Sequence, residues 1–313
     1  MKSDDKLYVL TCISNPNGYQ SRLHLYKEFE EYISKEKNAI LYTAEMIYEG
    51  QEYSVTEKGN IHHLQLVGDD IIWSKENLLN LLRKQLPEDA KYIAWIDADV
   101  VFSRSDWVKA TIKALQEKDV VQMFSECRDL YPDYTTIPNS VFRGIIHQAI
   151  NNPLFSMEDG YGKKRTGHTG YAWACTADAW DKTDGLIDFS VMGSGDYQMA
   201  CALLGNVVAS TYNKSYSEGY VDALQQWQDK ASGLSVGYVD GLCLHNYHGK
   251  KSDRGYGTRW KVLVDLRFSP QRDLIVGDNG VITLKKDSEK YSELKENLIS
   301  YFSSRKEDSH LEG

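Results

Sequence analysis

Asp97-Ala98-Asp99 follows directly on Lys91-Tyr92-Ile93-Ala94-Trp95-Ile96, an apolar run of strand length. Two carboxylates at i and i+2 in an extended segment point the same way. Their hard oxygens suit Mg2+ or Mn2+. A divalent ion held there would offset the charge of a diphosphate and stabilise it as a leaving group. Such a triplet is common by chance. The aliphatic strand before it and Val100-Val101 after it strengthen the reading. The competing reading is a solvated loop whose aspartates cap the next helix.

A second chemical cluster is His245-Asn246-Tyr247-His248-Gly249, which closes an apolar run from Gly237 to Leu244. An imidazole ligand suits Mn2+ better than Mg2+, because it is softer than a carboxylate. In a strand, i and i+3 face opposite sides. One of His245 and His248 is therefore expected to bind metal, with His248 preferred, and the bland alternative is packing in a core or on the surface. Asp196, in Gly193-Ser194-Gly195-Asp196, is the candidate general base for deprotonating a hydroxyl. The same tetrapeptide also reads as a helix cap.

Other residues surround this chemistry. The loop from Thr11 through Ser14 to Arg22 is the expected seat of a nucleotide base and ribose. The planar fork of Arg22 matches a phosphate, although a surface arginine reads equally well. Lys75 is a second candidate phosphate contact, set against a solvated helix face. Ala98, between the two aspartates, lines the same donor site. Tyr171 and Trp173 could stack on a sugar or fill a core, and His168 is a further acceptor-side candidate. Gly249 to Gly257 is polar, basic and glycine-rich, and it is expected to act as a lid bringing Lys250 or Arg254 over a diphosphate.

These residues need a frame that gathers them. Leu7 to Ile13 reads as a strand that opens into the turn-forming Ser14-Asn15-Pro16-Asn17-Gly18. Leu23, Tyr26, Phe29 and Ile33 have helical spacing over residues 20–35. Ala39 to Ile47 reads as a strand, and Ser74 to Leu86 as a helix capped by Ser74 and ended by Pro87. A helix at about 105–118 with Ser105 as its cap, and a strand from Val120 to Phe124, continue the alternation. Further helices are expected near 139–151, 176–184, 194–204 and 216–231, then one late strand at 237–244 and a helix from Ser288 to Phe302. Strands alternating with helices predict an α/β domain with a mostly parallel, twisted sheet flanked by helices. Ligands in such sheets sit beyond the carboxyl ends of the strands, where Asp97 and Asp99 fall.

The block Tyr92 to Asp99 resembles the DxD strand of GT-A glycosyltransferases. Gly167-His168-Thr169-Gly170-Tyr171-Ala172-Trp173 is similar to that superfamily's glycine-rich donor and acceptor strand. Gly185-Leu186-Ile187-Asp188 resembles its next turn. Gly193-Ser194-Gly195-Asp196 resembles the catalytic segment of family two and of the galactosyltransferase-like family seven, and His245 to Gly249 its late metal histidine. The motifs occur in family order over about residues 7–260, and the chain also resembles glycosyltransferase-like proteins of phages and bacteria. It departs from the family pattern where a second acid usually precedes the catalytic one, since only Asp196 is acidic there.

The resemblance implies a GT-A (Rossmann-like) single domain over 1–260, with 261–313 as a C-terminal extension packed on it and ending in a frayed, charged tail. It implies inverting transfer of a sugar from a nucleoside diphosphate, UDP favoured, to a hydroxyl acceptor. Mn2+ (or Mg2+) is the implied cofactor, Asp99 the direct ligand, and Asp97 a ligand through water or a ribose contact. Three alternatives are a glycosyltransferase acting on modified bases of phage DNA, a nucleotidyltransferase, and a non-catalytic sugar-binding module. Thr11 to Gln20 has no lysine or arginine with which to activate a triphosphate, which counts against the nucleotidyltransferase.

Composition narrows the field. The 313 residues are 42% hydrophobic and 26% charged, which suits one large α/β domain. The net charge of −9 disfavours a nucleic-acid acceptor. Twenty-one tyrosines and seven tryptophans suit sugar faces and cores alike. Five scattered cysteines without a CxxC pair fit a reducing compartment. Met1 to Lys6 does not read as a signal peptide, and no run approaches the ~20 apolar residues of a membrane span. A cytoplasmic setting is expected, in which the Asn213-Lys214-Ser215 sequon has no role.

Overall fold

Period-two alternation in the first strand, β1 (Leu7–Ser14), sets the layers of the molecule. Leu7 and Val9 enter one apolar cluster with Phe29, Ile96 and Trp107, while Leu10 enters another with Trp95, Trp173 and Trp180. A sheet buried on both faces results, as its near-continuous apolar strands require. The computed structural model describes residues 5–157, 166–211 and 215–309. Asn213 and Lys214 of the sequon, and the last four residues of the expected tail, lie outside them.

In chain order, α1 (Gln20–Ser34), β2 (Ala39–Ile47), β3 (His63–Val67), α2 (Lys75–Arg83), β4 (Tyr92–Ile96), β5 (Val100–Phe102), α3 (Trp107–Leu115) and β6 (Val120–Gln122) form the first half. Next come β7 (Glu126–Leu130), β8 (Thr136–Arg143), α4 (Ile145–Asn151), β9 (Ala172–Thr176), α5 (Ala177–Lys182), α6 (Gly195–Leu203) and α7 (Glu218–Ala231). The chain finishes with β10 (Val236–Tyr238), β11 (Leu242–His245), α8 (Lys261–Asp265), α9 (Pro270–Asp273), β12 (Leu274–Val276), β13 (Ile282–Leu284) and α10 (Tyr291–Ser303).

The main sheet has the order β10-β6-β9-β4-β1-β2-β3. All its neighbours pair in parallel except β9, which runs antiparallel between β4 and β6. The fold is thus α/β with a mostly parallel sheet flanked by helices. A second sheet, β5-β11-β7-β8, stands at the carboxyl end of β4, and β12 pairs with β13 alone.

Three local expectations change. Residues 139–143 are not helical: β8 continues to Arg143, which pairs with Glu126 of β7, and α4 begins only at Ile145. The late strand at 237–244 is two strands in different sheets, separated where Ser125 bonds both Asp240 and the backbone of Gly241. Ser74 does stand at the cap position of α2, but its hydroxyl donates back to Ile72 O instead of capping, and α3 starts at Trp107 with Asp106 rather than Ser105 before it.

Candidate functional site

The triplet Asp97-Ala98-Asp99 carries the chain from β4, near the centre of the main sheet, into β5 of the second sheet. Backbone bonds fix its path: Asp97 N–H donates to Tyr171 O at 2.8 Å, and Asn246 N–H donates to Asp99 O at 2.7 Å. Antiparallel pairing of β5 with β11 sets His245 opposite Val100, so His245 arrives beside Asp99. Asp99, His245 and His248 each offer one ligand atom, all within 4.8 Å of one another. Asp99 Oδ2 lies 2.8 Å from His248 Nε2 and 3.7 Å from His245 Nε2, and the two Nε2 atoms are 3.3 Å apart.

Both histidines therefore converge on Asp99. Alternation does not separate them, because β11 ends at His245 and residues 246–248 are no longer strand. The group fits a divalent cation. Asp99 Oδ1 is buried and has no hydrogen-bond partner among the described residues, an expensive condition unless a ligand satisfies it. Burial opposes ionisation of Asp99, yet the two imidazoles hold its carboxyl well below the usual range. Two imidazoles and a carboxylate suit Mn2+ better than Mg2+.

Asp97 takes another role in this arrangement. Its carboxylate pairs with Lys75 of α2, which keeps it outside the trio. Burial pushes the Asp97 carboxyl up, as does the negative Asp99, against the pull of Lys75. Lys75 is thus at the cavity but engaged with Asp97 rather than unpartnered on a helix face.

A cavity of about 230 Å3 opens over the trio. This is smaller than the ~300–1,000 Å3 usual for ligand pockets, and Phe302, Arg305 and Glu307 from the end of the chain form part of its wall. Of the expected site residues, Thr11, Ser14, Arg22, Lys75, Asp97, Ala98, Asp99, His168, Tyr171, Asp196, His245, His248 and Arg254 all line it. Thr11 Oγ1 donates to Ile96 O at 2.8 Å, tying β1 to the triplet, and Ser14 Oγ lies 3.0 Å from Tyr48 Oη. Despite the net charge of −9, six cationic side chains surround this space: Arg22, Lys75, Lys251, Arg254, Arg259 and Arg305. Arg254 Nε and Arg305 Nη1 are buried without a hydrogen-bond partner among the described residues. Unsatisfied guanidinium donors in a cavity suit an anionic ligand.

Trp173 and Lys250 depart from expectation. Trp173 is 1% exposed and packs in the core, its indole N–H donating to Thr169 O at 2.7 Å. It lines a void of about 10 Å3 together with Asp196, too small for a sugar ring. Lys250 is absent from the cavity wall, and its neighbour Lys251 takes that place, 2.5 Å from Asp129 Oδ2. The glycine-rich segment is folded down: Lys251 to Arg254 is a short 3-10 turn, and the Arg254 guanidinium reaches Tyr256 Oη at 3.2 Å.

Tyr171 is held rather than offered. It adopts φ 80°, and its ring is stacked between His168 (4.1 Å) and His245 (4.6 Å), with its hydroxyl donating to Asp129. A tyrosine in this backbone region is strained and is kept there by its surroundings. His168 is pushed down to about 3 by burial and the nearby Lys251, which keeps it neutral. Asp196 is the second residue of α6, and the tetrapeptide does supply the cap position, at Ser194, though without a side-chain cap bond. Thr169 Oγ1 donates to Asp196 Oδ2 at 3.3 Å.

Several residues of the site gave no motif in the sequence. Glu76 is buried at the cavity wall, accepts the Trp73 indole N–H at 3.0 Å, and is pushed up to about 7 by burial. Gly195 leaves room for it: a Cβ there would come within 2.8 Å of Glu76 Oε1, so a larger residue would shift the Glu76 carboxylate. Arg259 and Arg305 lie over the Trp73 ring at 5.8 and 5.3 Å. Asp129 and Glu307 are carboxylates on the outer sides of the two histidines. The tail expected to be frayed is packed through residue 308: Glu307 is 1% exposed, and Asp308 accepts from the Gln20 and Ser21 amides at the start of α1. Arg22, expected at a phosphate, makes a two-pronged ion pair with Glu307 at 2.5 and 2.8 Å.

No protein-family model matches the chain, and no curated protein sequence matches it. Among solved structures it is similar in outline to a mutant of Drosophila β1,4-galactosyltransferase 7 in complex with manganese, UDP-Gal and xylobiose. That match has 10% identity, covers 93% of this chain and 99% of that one, and has a TM-score of 0.42. It is also similar to a protein of Desulfovibrio desulfuricans described as a nucleotide-diphospho-sugar transferase, at 12% identity, 96% of each chain and a TM-score of 0.36. A third likeness is to the 4-diphosphocytidyl-2C-methyl-D-erythritol synthase of Anaerococcus prevotii, at 11% identity, 76% of this chain and 88% of that one, and a TM-score of 0.33. No helix among the described residues is long and apolar enough to cross a membrane. What the site can do follows from its own geometry.

Proposed function

We propose that the chain is a metal-dependent glycosyltransferase of the GT-A type, moving a sugar from a nucleoside diphosphate, UDP favoured, to a hydroxyl acceptor. One observation carries this reading. Asp99, His245 and His248 meet at the carboxyl end of a central strand, in a cavity that also holds six cationic side chains and Asp196.

Asp99, His245 and His248 would hold Mn2+, which when bound offsets the charge of the leaving diphosphate. Arg254 and Arg305 donate to the phosphate oxygens through nitrogens that otherwise lack partners. Lys75 keeps Asp97 oriented on the donor side. Asp196 accepts the proton of the acceptor hydroxyl as that oxygen bonds to the anomeric carbon. The bond from that carbon to the diphosphate breaks, and its electron pair leaves with the nucleoside diphosphate. Attack from the face opposite the diphosphate inverts the anomeric centre.

Nucleotidyl transfer is the second reading. Arg22, two residues past the Thr11–Gln20 loop, and Lys75, far from it in sequence, both reach the cavity beside it. Incubating the Mn2+-loaded protein with sugar nucleotides and acceptor glycans, and separately with nucleoside triphosphates and sugar phosphates, separates the two. Release of nucleoside diphosphate supports sugar transfer. Release of pyrophosphate from a nucleoside triphosphate and a sugar phosphate supports the rival.

A further inference from the structure

We propose that the C-terminal segment is a working part of the metal centre, with Glu307 as the positioning residue that turns His248 toward the cation. The inference rests on the metal reading above and adds to it the source of the site's outer shell.

A metal-binding imidazole is commonly held by a carboxylate on its other ring nitrogen, which fixes the tautomer and aims the lone pair. In the trio His245 is hydrogen-bonded to such a carboxylate, and His248 has one within ion-pair range. His245 Nδ1 lies 3.0 Å from Asp129 Oδ1, while His248 Nδ1 faces Glu307 Oε2 at 3.6 Å. With Nδ1 protonated toward the carboxylate, each Nε2 presents its lone pair on the side where Asp99 stands. The first carboxylate comes from β7 of the second sheet. The other comes from beyond the last helix of the described chain.

Glu307 is held in place from several directions. Its side chain has no exposure, and it is paired with Arg22 and with Arg305 Nε at 2.7 Å. Its backbone packs onto the turn after His248: Gly249 has φ 88°, and a Cβ there would come within 2.9 Å of Glu307 Cα. Only glycine permits that approach. The next residue, Asp308, binds the free amides of Gln20 and Ser21 and pins the segment to α1. The end of the chain thus joins the start of the first helix to the metal histidine.

The test is Mn2+ binding to the metal-stripped full chain, read from the free-ion signal by electron paramagnetic resonance and without any turnover. The proteins compared are wild type, Asp99→Ala, Glu307→Gln and Glu307→Asp. Glu307→Gln is expected to weaken Mn2+ binding 10- to 100-fold and to reduce the nitrogen coupling to bound Mn2+ from two imidazoles to one. Glu307→Asp keeps the charge that Arg22 and Arg305 need but draws it back, so its affinity should fall between the other two. Wild-type affinity and coupling in a folded Glu307→Gln protein overturn the proposal. If Glu307→Gln does not fold, wild-type affinity in Glu307→Asp overturns it. Wild type that binds Mn2+ no better than Asp99→Ala removes the metal reading itself, and this inference with it.

Discussion

His248 Nε2 stands 2.8 Å from Asp99 Oδ2, although the two residues belong to opposite halves of the chain. The second sheet makes the contact. Asp99 leads into β5, His245 ends β11, and the antiparallel register of those strands brings the turn holding His248 over the carboxylate.

Removing a member of this trio is expected to weaken Mn2+ binding by at least ~100-fold for Asp99→Ala, and comparably for His245→Ala and His248→Ala. Asp97→Asn is expected to cost less than ~10-fold, because Asp97 is bonded to Lys75 and lies outside the trio. Titration calorimetry on the four variants checks the ranking.

Asp196→Asn keeps the volume and the Thr169 contact but cannot take a proton. The expected result is a fall in kcat of ~100- to 10,000-fold, with little change in the donor KM and an unchanged melting temperature. A parallel rise in KM would instead make Asp196 a binding residue.

Glu76 makes stability depend on pH in a definite direction. Below its ordinary value of 4.5 the carboxyl is protonated in folded and unfolded chains alike. Between 4.5 and about 7 the folded chain holds the proton longer, so stability falls as the pH rises through this window. Glu76→Gln keeps an oxygen for the Trp73 indole and removes the titration. Relative to wild type, the metal-free variant is expected to gain at least ~3 °C in Tm between pH 4.5 and pH 8. Parallel Tm curves for the two proteins would contradict the burial argument.

Trp173 separates core from binding surface. Its burial between β4 and β6 predicts that Trp173→Ala loses ~3–5 kcal/mol of stability, measured by denaturant unfolding. Trp173→Phe should leave the donor KM within twofold, whereas a sugar-stacking ring would not.

Much of this frame was legible in the sequence. The strand from Lys91 to Ile96 stops where Asp97 begins, and the apolar spacing in 20–35 marks α1, because strand and helix periods are local properties. The second sheet was not legible: β7 and β8 carry charged and polar residues whose pairing depends on distant partners. The i, i+3 argument at His245 and His248 failed for the same reason, since it assumed a strand that tertiary pairing ends at His245. Arg305, Glu307 and Asp308 read as a solvated charge run. Only the fold shows that Arg22 and the start of α1 lie opposite them with complementary charge. Glu76 sat next to Lys75 without any pattern to distinguish it, and the signal that singles it out is burial.

The central claim is a metal-dependent nucleotide-sugar site built on Asp99. Thermal shift with UDP, GDP, CDP and ADP sugars, with and without Mn2+, on wild type and Asp99→Ala tests it most directly. A ligand at 100 times its Kd stabilises the folded state by ~2.7 kcal/mol. The account predicts that one nucleotide class, UDP first, raises the wild-type Tm only when Mn2+ is present, and that Asp99→Ala abolishes the rise. A wild-type Tm that none of the four classes moves, with or without Mn2+, would contradict it.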